Sequence, residues 1–180
     1  MSKRVLCLLV DGFEEIETIT PVDLLRRAGA EVSMASVTGD RFVKGRCGVV
    51  VQADSELANI IHKAFDLLLI PGGPGVNALR YDGRAAKIAA EFVKAGKPVG
   101  AICAAPTVLA DAGLLEKKRF TAHFSVFGEL KSALADERVV EDGELVTSRG
   151  AGTALEFGLT LVRRLFGAEK EREVAESIMA

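Results

Sequence analysis

Long apolar runs, paired metal ligands and a surplus of either charge are all missing from this chain. No uninterrupted apolar stretch approaches the roughly 20 residues a membrane-spanning helix needs, so a helical span is excluded and no membrane partner is expected. With 23 Lys and Arg against 25 Asp and Glu, the formal charge is only −2, and the two signs are mixed along the chain. That balance argues against nucleic acid as the main partner. Two histidines, with no His-x-x-x-His or Cys-x-x-Cys pair, leave no zinc pattern, and neither metal nor cofactor is expected. Three cysteines, an odd number, point to free thiols in a reducing compartment rather than a disulfide framework. The apolar run Val5 to Val10 is too short for a signal-peptide core and meets Asp11 at once, so a cytoplasmic location is expected.

What the chain does have is material for one core. Its 180 residues, 49% hydrophobic, suit a single domain over residues 1–180 that buries about 70% of its unfolded surface. Arg4–Val10, Glu31–Ser36, Phe65–Ile70 and Val99–Ile102 read as strands, three of them apolar on both faces. Between them, Glu14–Ala28 and Asn77–Lys94 read as helices, the first with a kink or break expected near Thr20 because of Pro21. Thr38–Gly48 is turn-rich and suggests a short ribbon into Val49–Val51; Leu57–Ile61 and Pro106–Ala112 suggest short helices. Further on, Arg119–Ala122 reads as a strand, Phe127–Ala135 as helical and Arg138–Val146 as a hairpin. Ala154–Leu165 and Ala168–Met179 close the chain as helices. Alternation of this kind predicts an α/β fold with a mostly parallel sheet covered on both faces. Ligands in such folds sit beyond the carboxyl ends of the strands, which brings Asp11–Glu17, Pro71–Gly75 and Cys103 toward one crevice.

Cys103 is the centre of the chemistry. It ends an apolar strand, and Ala104, Ala105 and Pro106 then open a helix, so the thiol meets free helix N-terminal N–H groups that favour its anion. Hydrolases present a nucleophile on such an elbow; a buried cysteine acting as a small hydrophobe is the alternative. Pro71-Gly-Gly-Pro-Gly75 lacks the residues of a phosphate loop and reads as a turn whose bare backbone approaches Cys103. Gly73 and Ala104 would then supply N–H groups to an oxyanion. Glu14, Glu15 and Glu17 suit a first helical turn electrostatically, but one of them would face the crevice. A carboxylate there raises a thiol pKa, so the arrangement is useful only if burial keeps the carboxyl protonated and donating to a thiolate. His123 is either a structural loop residue or a proton carrier. Cys7 reads as core; Cys47 and His62 as surface.

Asp11-Gly-Phe-Glu-Glu-Ile-Glu17-Thr with Pro21-Val-Asp23, Leu69-Ile-Pro71-Gly-Gly73, Ala101-Ile-Cys103-Ala-Ala-Pro106 and Thr147-Ser-Arg-Gly-Ala-Gly-Thr153 together resemble the DJ-1/PfpI (ThiJ) superfamily. The resemblance runs in order from the first strand to about Phe166. It implies a flavodoxin-like three-layer sandwich, a nucleophile-elbow cysteine at Cys103, Glu17 as its protonated partner, His123 nearby, and Gly73 and Ala104 at the oxyanion position. It also implies a homodimer and, with no cofactor, glyoxalase or deglycase chemistry on small reactive aldehydes or glycated adducts. A redox-sensing protective protein or chaperone is the second expectation. Cysteine peptidase is disfavoured, because the protease-like branch has histidine directly after the cysteine and this chain has Ala104.

Overall fold

The computed structural model describes residues 2–180. The chain runs β1 (Arg4–Leu9), α1 (Glu15–Arg27), β2 (Glu31–Ser36), β3 (Phe42–Lys44), β4 (Val50–Gln52), β5 (Ser55–Glu56) and α2 (Leu57–Ile60). Then come β6 (Leu67–Ile70), α3 (Val76–Asp82), α4 (Arg84–Lys94), β7 (Val99–Ile102) and α5 (Pro106–Asp111). The hairpin β8 (Val139–Asp142) and β9 (Leu145–Ser148) leads to α6 (Ala154–Phe166) and α7 (Ala168–Ser177). Seven strands form one sheet in the order β5-β2-β1-β6-β7-β9-β8, with β3 and β4 as a separate antiparallel ribbon. All pairings in the main sheet are parallel except β8 with β9. No helix among the described residues is long and apolar enough to cross a membrane.

Strand alternation divides the core in two. Leu6, Leu8, Leu68 and Ile70 pack with Leu79, Ile88 and Val108 on one face, while Val5, Cys7, Leu9, Leu67 and Leu69 pack with Leu24, Leu25, Phe157 and Leu161 on the other. Because successive strand side chains point to opposite faces, apolar runs without alternation require helices on both sides. The result is a three-layer α/β sandwich of flavodoxin-like type.

Of the kink or break expected near Thr20, no break occurs: α1 continues through Pro21. Packing explains it: a Cβ at Gly158 of α6 would lie 2.6 Å from Leu24 Cδ1 and 3.0 Å from Pro21 Cα, so α6 holds this stretch closely in place. The helix expected over Asn77–Lys94 is two helices, because Gly83 sits at φ 76° between α3 and α4. Nor is Arg119–Ala122 a strand. Its donors are taken by side chains of the hairpin instead of a ladder: Arg119 N–H donates to Asp142 Oδ2 (2.9 Å) and Thr121 N–H to Thr147 Oγ1 (3.0 Å). The segment Phe127–Ala135 is turns rather than helix, preceded by one 3₁₀ turn, Phe124–Val126. The remaining elements stand where the hydrophobic pattern puts them, apart from β5, which is too short to show in any pattern.

Candidate active site

Three strand ends meet at one cleft of about 580 Å³, whose lining includes Glu17, Gly73, Cys103, Ala104, His123 and Arg46. The gathering follows from topology, since β1, β6 and β7 are adjacent and parallel and their carboxyl ends open on the same side.

Cys103 follows β7 directly and has φ 65°, a left-handed conformation that residues other than glycine rarely adopt. Two backbone bonds hold it there: its N–H donates to Ser148 O and its carbonyl accepts from His123 N–H, each at 2.8 Å. The turn leaves the side chain 8% exposed at the floor of the cleft. N–H groups of Gly73 and Ala104 are directed at the sulfur.

The glycine run exists to let backbone in. A Cβ on Gly72 would strike Glu17 Oε2 and lie 2.6 Å from Cys103 Cβ and 2.8 Å from Ile102 O. Gly73 has φ 98°, and a Cβ there would lie 2.7 Å from Glu14 N. Gly72 O accepts from Glu14 N–H at 3.0 Å, locking the Gly-rich turn to the start of α1.

The three acids at that start have separate jobs. Glu14 caps α1, accepting from Glu17 N–H at 2.8 Å. Glu15 reaches the ribbon, where its Oε1 accepts from Cys47 N–H at 2.7 Å. Burial acts against its charge, but the backbone N–H groups around it prevail and its pKa falls below the usual value. Glu17 turns into the cleft floor, 1% exposed. Burial pushes its carboxyl up to about 7; the thiol of Cys103 pulls it down, the charge of Glu14 pushes it up further, and Arg46 opposes.

For Cys103 itself, burial and then the charge of Glu17 push the thiol up to about 12, against the downward pull of the Gly73 and Ala104 N–H groups. The thiol alone is therefore not the freely ionising group that a helix N-terminus suggests. The two groups are coupled, since the charge of Glu17 raises the thiol while Cys103 lowers the carboxyl, so their protons belong to the pair.

His123 lies at the cleft wall without touching Glu17 or Cys103 through its ring nitrogens. Ser125 N–H donates to Nδ1 at 3.3 Å, with Ser125 Oγ 2.8 Å away, so the neutral ring carries its proton on Nε2. Burial, then the charge of Arg46, lowers its pKa and keeps it neutral at pH 7.

Sequence reasoning missed Arg46. It sits in the ribbon turn between β3 and β4, its N–H donating to Phe13 O at 2.9 Å, and it pairs with no carboxylate among the described residues. The signal was Gly45 beside it: a Cβ there would run into the Glu15 carboxylate that clasps the turn. Cys7 is fully buried, Cys47 is exposed, and both are free thiols.

Residues 3–164 match the DJ-1/PfpI family. Among similar proteins, Drosophila melanogaster protein dj-1beta is 40% identical over 99% of this chain and 98% of its own. The crystal structure of that protein superposes with a TM-score of 0.92, covering 100% of this chain and 99% of that one. A Caenorhabditis elegans protein named glutathione-independent glyoxalase DJR-1.2 is 36% identical over 98% of this chain and 96% of its own. An Escherichia coli protein named protein/nucleic acid deglycase 2 is 37% identical over 83% and 90%.

Proposed function

The chain belongs to the DJ-1/PfpI family, and from that premise we propose that it is a cofactor-independent thiol enzyme acting on small reactive aldehydes such as glyoxal and methylglyoxal. The observation that carries the reading is the buried pair: a carboxyl raised to about 7 against a thiol that two N–H groups address. In the singly protonated pair, sulfur attacks as the anion while the carboxyl keeps the proton. The S–C bond forms as the carbonyl π pair moves to oxygen, and Gly73 and Ala104 N–H groups receive that charge. Glu17 delivers its proton to the alkoxide, giving a hemithioacetal. As carboxylate it then takes the proton from the sulfur-bearing carbon to give an enediolate and returns it to the neighbouring carbon, while the hydroxyl proton passes to the neighbouring oxygen, leaving a thioester of a 2-hydroxy acid. Water cleaves the thioester and restores the thiol, so methylglyoxal plus water becomes lactate without net oxidation. His123, neutral with its proton on Nε2, serves as a secondary proton relay at the wall. Release of aldehyde from early glycation adducts draws on the same thiol chemistry, and protection against carbonyl and oxidative stress is the role it would serve.

Lactate formation from methylglyoxal by purified protein, without added cofactor, tests this. Cys103→Ser should abolish it; equal rates would leave Cys103 a sensor of oxidant rather than a nucleophile. That second reading draws on the same two N–H groups, which suit sulfinate oxygens as well as an alkoxide.

Pairing with a second copy is part of the proposal. Ile16 and Ile19 on α1 and Val49 and Val50 on the ribbon are 54%, 40%, 52% and 55% exposed. The Glu15 clasp on Cys47 brings these elements together, beside the cleft. Sedimentation of the parent against Ile16→Glu would report the dimer, and a parent that sediments as monomer would exclude it.

A further inference from the structure

Arg80, at the end of α3, faces the cleft and holds two carboxylates at once. Its Nε and Nη2 donate to Asp111 Oδ2 and Oδ1 at 2.7 and 2.8 Å, and its Nη1 and Nη2 to Glu129 Oε2 and Oε1 at 3.0 and 2.5 Å. Asp111 ends α5, the helix that starts just beyond Cys103. Glu129 belongs to the opposite wall, the irregular run that begins with His123 and also presents Ser125 and Val126 to the cleft.

That wall has no other hydrogen bond to fix its outer part. Every other hydrogen bond of residues 124–129 among the described residues stays within residues 123–130. Its anchors into the body are His123 N–H on Cys103 O at one end, buried Leu130 at the other, and the inner sides of Val126 and Phe127 packed on the core between them, which leaves the outer edge at Glu129 to Arg80. A guanidinium fork gripping two carboxylates has directions as well as charge, so it sets a distance and not merely an attraction. Arg80 side-chain exposure is 27%, placing the grip at the rim rather than the floor.

We infer that Arg80 is a positioning residue that fixes the width of the cleft mouth, tying the His123–Glu129 wall to the cysteine-bearing side and so selecting compact carbonyl compounds over bulky adducts. The inference rests on Cys103 being the reacting group, but its test needs no turnover. Because two carboxylates take four of the five guanidinium N–H groups and outweigh its charge, Arg80 does not act as a substrate-binding cation. Releasing it widens the mouth without altering the Glu17–Cys103 pair.

The test is alkylation of Cys103 by a small reagent, iodoacetamide, and a bulky one, N-phenylmaleimide, each followed by peptide mass mapping. In Arg80→Ala the bulky-to-small rate ratio should rise about fivefold, the equivalent of one lost ion pair near 1 kcal/mol. Glu129→Gln should raise it similarly, the double variant no further, and Arg80→Lys should fall between parent and Ala. Arg84→Ala, which breaks the neighbouring Arg84–Asp82 pair, should leave the ratio as in the parent. An unchanged ratio in Arg80→Ala, or an equal rise in Arg84→Ala, overturns the inference. If methylglyoxal is turned over, Arg80→Ala should also change KM for bulkier 2-oxoaldehydes more than kcat. If it is not, the alkylation ratio still decides.

Discussion

Glu17 Oε2 and Cys103 Cβ both crowd the space beside Gly72, and that oxygen has no hydrogen-bond partner among the described residues. An unpaired carboxylate oxygen at 1% exposure is costly, and a proton on it removes most of that cost. The Cys103 thiol is the titratable neighbour coupled to it.

Thiolate absorbance in the ultraviolet should therefore rise in two steps as pH increases, near 7 and near 12. The size of the lower step measures how far the shared proton rests on Glu17. Glu17→Gln should show one step only, below the parent's upper step, because no carboxylate charge remains to oppose the thiolate. Absence of the lower step in the parent would place the proton wholly on sulfur.

Stability should fall as pH rises through the same region. Glu17 has a folded pKa of about 7 against an ordinary 4.5, so between those values the folded chain holds a proton that the unfolded chain has released. The loss begins near 4.5, levels off above 7 and is on the order of 3 kcal/mol. Glu17→Gln should lack it. Urea unfolding of both proteins at pH 5 and pH 8 checks this, and parallel pH dependences would refute it.

Gly72→Ala should disable the site by geometry alone. Its methyl would collide with Glu17 Oε2 and Cys103 Cβ, both fixed by surrounding packing. Overpacking of this kind costs about 1–3 kcal/mol, so the variant should fold with a lowered Tm and lose nearly all aldehyde turnover. Gly128→Ala, where a Cβ meets nothing within 4 Å, is the matched control.

Mild peroxide should oxidise Cys103 before Cys47 and leave Cys7 untouched. Cys7 is sealed in the core away from any oxidant, whereas Cys103 opens on the cleft and has directed N–H groups to receive sulfinate oxygens. Peptide mapping after a time course decides, and sulfinate appearing first at exposed Cys47 would count against Cys103 as the sensitive thiol.

The parts of this architecture that could be read from sequence are those where one local cause dominates. Leu67–Ile70 and Val99–Ile102 are buried on both faces, so no alternation obscures them. Cys103 and Gly73 show themselves because small residues at the end of an apolar strand let the backbone turn sharply and come close to a ligand. Arg119–Ala122 misleads because its burial is that of a strand while its hydrogen bonds go to side chains, a choice made by the hairpin some 20 residues later. Asp82-Gly83 is a turn signal that the strong helical pattern on either side concealed. Arg46 and Arg80 reach the cleft from a ribbon and a helix end, and only the assembled walls reveal that they face Cys103.

The borders of the sheet carry one more consequence. β5 offers only two residues, and β8 ends in Glu141 and Asp142, engaged by Arg163 and Lys118. Short, charged borders make poor templates for an incoming strand. A chain whose middle strands are as uniformly apolar as Leu67–Ile70 would otherwise be vulnerable to runaway stacking while folding. Copies of this protein are thus steered away from adding strands to one another, and a lasting contact between them has to be made by side chains.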